Sequence, residues 1–242
     1  MPTQYSPPKH IVIRRRTDAI TDGDLAFVEK ALAIQLREAA AHYGLAPPGV
    51  TFCGESAVVA STEAAGMDFV DEDGTALGVA HHGYVAGFPW SLIGVRETDY
   101  WTMAASHEAL EYLCNLRLDQ WVRGPGNTLW PKEIADPVES DAYNIEVEIF
   151  GEKRQVQVSN YVLPAYWDAS NKTGPWDRQG VLRGPFTIAP GGYAVVEEDW
   201  KIREVGASIR HPLLKHGPSR PWSRAEQIIR GWKMGLRHAG TP

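Results

Sequence analysis

The sequence predicts an α+β fold with a loop-rich C-terminal part. Two stretches keep helical periodicity, 22–43 and 99–115, and the segments around them are short β-prone runs broken by glycine and proline. A chain of 242 residues is long for one domain and short for two, which points to one core with decorations.

The elements follow in order. KHIVIRRR alternates enough to predict a strand over about Lys9–Arg15. In TDGDLAFVEKALAIQLREAAAHYG, Asp22 or Asp24 can cap a helix, Leu25, Val28, Leu32, Leu36 and Ala39 recur at helical spacing, and Gly44 stops it. PPGV then breaks the chain before VTFCGES and AAGMDFVDED, two strand-like runs with a turn at Asp73–Gly74. TALGVAHHGYVAGFPWSLIGVRE reads as short strands. DYWTMAASHEALEYLCN returns to helix, with Met103, His107, Leu110 and Cys114 on one side. Residues 117–131 read as a loop, and a short helical or turn piece ends at Pro137. IEVEIF and RQVQVSNYVL predict a hairpin joined at Gly151, followed by ordered loops over 167–192 and a last strand in GGYAVVEED. Ser223 and Glu226 have capping-box spacing ahead of a short basic helix. No internal repeat or low-complexity segment is visible.

Composition is that of a globular chain, 43% hydrophobic and 22% charged, without an apolar run fit to span a bilayer. The N-terminus lacks the apolar core and cleavage site of a secretory signal, so a cytoplasmic or virion-associated protein is expected, with no membrane partner. Charge is uneven. Ser208–Pro242 holds seven Lys/Arg against Glu226 alone, a net +6, which leaves −12 on the rest of a chain whose total is −6. Such a basic arm on an acidic body suits contact with another subunit or protein; without an aromatic-basic platform, nucleic acid is not the expected partner. Two cysteines, Cys53 and Cys114, make no disulfide framework, and Cys114 reads as a buried thiol.

The chemistry concentrates at His107-Glu108-Ala109-Leu110-Glu111. Helix positions i and i+4 project from one face, so His107 and Glu111 can share a cation, one through a ring nitrogen and the other through a carboxylate oxygen. Glu108 points to a different side of the helix, where a carboxylate can act as general base on a water. The same string also arises on a solvated acidic helix face with a chance histidine.

The pattern resembles gluzincin-type proteases, in which a third ligand follows on a later segment, often with a second acid behind it. Glu133, twenty-two positions after Glu111, matches as ligand, and Asp136 as the group orienting His107; the reverse assignment stays open. Two carboxylates on one metal leave it less Lewis acidic than a two-histidine, one-glutamate set, and the oxygen-rich site weakens the case for zinc; Zn2+ stays the leading ion, with Mn2+ or Ca2+ as alternatives.

More broadly, ALAIQLREAAAHYG, ALGVAHHGYVAGFPWSLIGV, ASHEALEYLCN, KEIADPVESDAY, VQVSNYVLPAYW and APGGYAVVE resemble a zincin-like metallopeptidase family of bacteria and phages. The likeness spans about Ala31–Glu197. It implies a mixed, twisted sheet packed on a backing helix (about 22–43) and a metal-binding helix (about 99–115). It also implies an edge strand near Ala76–Gly83 that pairs with an extended peptide, and a peptide or protein substrate. His107, Glu111 and the Glu133/Asp136 motif become metal contacts and Glu108 the base. The family-like domain is 1–200, and 201–242 a basic extension with a short helix. Two rival functions stand beside a metallopeptidase-type hydrolase. One is a non-catalytic phage or cargo protein that keeps the scaffold, and the other a metal-free hydrolase using paired acids such as Glu108 and Glu133. His81 or His82 on the edge strand, and Tyr161 or Tyr166 as oxyanion donors, are further candidates.

Overall fold

A computed structural model describes residues 5–54, 63–71, 80–85, 88–96, 100–198 and 201–206, with 81–85 and 201–203 as backbone alone. The architecture is mixed α+β, with few helices and several sheets. The main sheet comprises β1 (His10–Arg16), β2 (Gly49–Phe52), β3 (Ala64–Val70), β4 (Ala80–Val85) and β5 (Phe88–Gly94), in the order β2-β1-β3-β5-β4. All pairs are parallel except β4 with β5, which run antiparallel with His82 opposite Ser91. Alternation in β1 sends Ile11 and Ile13 fully into the core. On the opposite face Arg14 grips Asp68 through two bonds of 2.6 Å and stacks over Trp90 at 4.1 Å.

Two helices cover one face of this sheet. α1 (Asp22–Tyr43) starts at Thr21, not at Asp22 or Asp24. The Thr21 hydroxyl accepts the Asp24 N–H, and Asp24 reaches back to the Thr21 N–H at 2.8 Å, a reciprocal capping box. Gly44 ends the helix in the left-handed region at φ 64, which lets the Leu45 N–H bond back to Ala40 O at 2.9 Å. α2 (Trp101–Asn115) lies alongside and is buried nearly all round, the pattern of an interior helix.

The other side of the helix pair is closed by a hairpin, β8 (Ala142–Ile149) with β9 (Glu152–Ser159), so the helices form the middle of three layers. Its turn, Phe150–Gly151, has φ of 50 and 85 at its central residues, the sign that matches strand twist.

Sequence and structure part company over 117–131. Within that predicted loop lie β6 (Trp121–Arg123) and β7 (Leu129–Pro131), a short hairpin. With β10 (Tyr193–Glu198) and β11 (Lys201–Gly206) they form a second sheet in the order β11-β10-β7-β6, over a small core of Trp130, Phe186, Ala194 and Val196. The first residues of the basic extension thus form strand β11. The helix predicted after Ser223 and the turn at Asp73–Gly74 lie outside the described residues. Among the described residues no helix is long and apolar enough to cross a membrane.

Candidate metal centre

Position along α2 is set by polar bonds to distant segments. The Tyr112 hydroxyl donates to Gly66 O at 3.0 Å and pairs with Ser91 on β5, which fixes the rotation of the helix against the main sheet. On the opposite side the Ser106 hydroxyl accepts the Ser159 N–H at 2.5 Å, and Thr102 donates to Gln157 O at 2.8 Å, tying α2 to β9. Gln35 of α1 donates to Ser159 O at 2.8 Å. The Tyr5 hydroxyl donates to Tyr112 O and accepts the Leu116 N–H, satisfying backbone groups at the end of α2.

With that rotation fixed, His107 and Glu111 face a 3-10 turn, Asp136–Val138, whose Pro137 sits at a position where no N–H is needed. His107 Nε2 lies 2.9 Å from Glu111 Oε1 and 3.2 Å from Asp136 Oδ1. The three groups are buried, and their donor atoms lie within 4.8 Å of one another, a grouping able to hold a metal ion. This disposes of the solvated acidic face: His107 is 6% exposed and Glu111 not at all.

Of the two acids left open as third contact, Asp136 reaches His107. Glu133 is buried and accepts a hydrogen bond from Asn115 at the end of α2; it is not in the group. Asn115 also accepts the Gln120 N–H at 2.8 Å, so it anchors the chain on both sides of the short hairpin. Asn115 went unnoticed in the sequence; a polar amide among the apolar residues closing a buried helix is the signal that marks it.

Burial alone disfavours the His107 imidazolium. Glu111 and then Asp136 outweigh it, and the pKa stands well above the usual histidine value. One ring nitrogen and two carboxyl groups converge at spacings that a divalent cation can share. Donors on a tetrahedral zinc at about 2.0–2.1 Å sit about 3.3 Å apart, close to the two separations seen here. One nitrogen and two carboxylate oxygens are accepted zinc donors and suit harder ions as well.

Glu108 is also buried, one turn before Tyr112, whose hydroxyl feels its charge; burial, foremost, keeps that hydroxyl protonated. The Tyr161 hydroxyl lies 3.2 Å from His42 Nδ1, and that of Tyr166 donates to Thr187 O at 3.0 Å, so both proposed oxyanion donors are engaged elsewhere. The side chains of His81 and His82 lie outside the described residues. Cys114 is a buried free thiol, its pKa pushed up to about 12 by burial, while Cys53 is exposed. Comparison of the chain with known protein families, with curated proteins and with solved structures found no match.

Proposed function

We propose that this protein is a metal-dependent hydrolase of zincin type acting on a peptide or protein. The observation that carries this reading is the buried convergence of His107, Glu111 and Asp136, brought together from a helix and a separate turn. These three residues would hold the ion. Bound there, zinc would supply Lewis acidity toward a substrate carbonyl, and manganese or calcium would do so more weakly.

The chain's own residues supply the rest. His107 must present Nε2 without its proton, so ion binding displaces the proton that Glu111 and Asp136 stabilise. Glu108, turned away from the triad by one helical step, takes the proton of the attacking water on its carboxylate and passes it to the leaving amine nitrogen. β4 supports a peptide substrate. Among the described residues it stands last in the strand order and packs against α2, a place from which an extended chain could add to the sheet.

Elemental analysis of untagged protein tests the centre: one equivalent of metal is expected, lost in His107→Ala and Asp136→Asn. Glu108→Gln should keep the metal and reduce peptide cleavage about 10²–10⁴-fold. Metal-free wild-type protein overturns the reading. One equivalent of metal with no cleavage across a peptide library leaves the non-catalytic scaffold instead.

A further inference from the structure

Asp136 is the one member of the triad that no long helix carries, so something else must hold it. The backbone on its C-terminal side is pressed by Gly192, the residue that leads into strand β10. A Cβ built on Gly192 would collide with the Pro137 carbonyl, standing 2.6 Å from its carbon and closer to its oxygen, and 3.0 Å from Asp136 O. These are backbone atoms of a turn closed by Val138 N–H to Ala135 O and Glu139 N–H to Asp136 O, so they have no flexible end that can swing aside. The same Pro137 oxygen accepts the Ala189 N–H at 2.9 Å, which draws the loop before β10 onto the turn.

Behind this contact lies a second one of the same kind. A Cβ on Gly206, where β11 pairs with Tyr193, would come within 2.8 Å of Gly192 O. Two close backbone approaches therefore follow one another, Gly206 of β11 beside Gly192 and Gly192 against the Asp136 turn. On the N-terminal side, β7 of the same sheet runs directly into 132–135. The second sheet thus touches the turn from both directions while contributing no side chain to the triad.

We infer that Gly192 is a positioning residue for the metal centre: its missing side chain lets β10 set the Asp136 carboxylate against His107, with Gly206 as the backstop. The role rests on the metal-centre reading above. A contact this far below 3.0 Å on backbone atoms must be relieved by a shift of the turn or of the Gly192 backbone; moving the turn moves Asp136 relative to the two helix-borne donors, and supports of this kind typically cost 10–100-fold in metal affinity when removed.

The test is titration calorimetry of the metal-free full-length protein with Zn2+ alone, paired with thermal melts of the same samples. Gly192→Ala should weaken Zn2+ binding about tenfold or more. Gly206→Ala, on the last strand of the second sheet among the described residues and with a milder clash, should weaken it less and is the variant expected to fold more readily. Gly184→Ala is the control, since a Cβ there meets only Thr187 Cγ2 at an ordinary 3.6 Å, and it should bind as the wild type does. A merely structural glycine would lower the melting temperature and leave the dissociation constant of the folded protein unchanged; that result in both Gly192→Ala and Gly206→Ala overturns the proposal. No Zn2+ binding by the wild type overturns the metal-centre reading, and this inference falls with it.

Discussion

α1 and α2 lie side by side in one layer, yet their sequences solve different problems. α1 shows the core a stripe of Leu25, Val28, Leu32, Leu36 and Ala39, opens on a reciprocal cap and closes on Gly44. α2 has no side-chain cap at Tyr100 and no acid in its first turn or base in its last, and it buries His107, Glu108 and Glu111. Propensity and capping stabilise the first helix, whereas among the described residues the second is tied mainly by tertiary bonds. Charges placed where burial penalises them mark α2 as the helix of the candidate site, while α1, with orthodox ends, packs beside it.

That contrast can be broken most forcefully at the stripe. Leu36→Ala should cost about 2–5 kcal/mol of stability and lower the urea midpoint, while metal stoichiometry stays at the wild-type value. Acidity tests the other helix. Because the folded pKa of His107 is raised, its contribution to metal-free stability is complete below about pH 6.5 and disappears as pH rises through the folded pKa. Metal competes for the same nitrogen, so apparent affinity should rise about tenfold per pH unit below that folded pKa, with one proton released per ion. Calorimetry in buffers of different ionisation enthalpy reads that proton directly, and pH-independent binding would count against His107 as a ligand. Thr21→Ala removes half of the capping box and should cost about 0.5–2 kcal/mol, seen in the melting temperature. Smallest is Phe150→Asn at the hairpin tip. A fully exposed phenylalanine there adopts φ 50, which asparagine tolerates better, so a gain of about 0.5–1 kcal/mol in chemical denaturation is expected.

The parts of the fold legible in the sequence are those written in local period. The stripe of α1 and the four-residue step from His107 to Glu111 both follow from helix geometry, and the hairpin around Gly151 from its alternation. The cap of α1 is misread by one to three positions because Asp22 and Asp24 both look like caps, while the N-cap is Thr21 with Asp24 as its reciprocal partner. β6 and β7 hide inside an apparent loop because three residues are too few to show a period; pairing with each other and with β10 makes them strands. The choice between Glu133 and Asp136 is hidden for a related reason. It depends on where a turn points, and the contacts made there, Asn115 with Glu133 and Gly192 against the Asp136–Pro137 backbone, come from residues remote in sequence from those acids.

The bonds that hold the middle layer have one further consequence. Apart from Asn115, which binds Gln120 and Glu133, the polar ties named between α2 and other segments run far along the chain, to Tyr5, Gly66, Ser91, Gln157 and Ser159, and need both flanking layers in place. The His107 helix therefore has little foothold in a partly folded chain, and its amides should exchange with deuterium close to the rate of whole-molecule opening, whereas the self-capped α1 retains protection in partial openings.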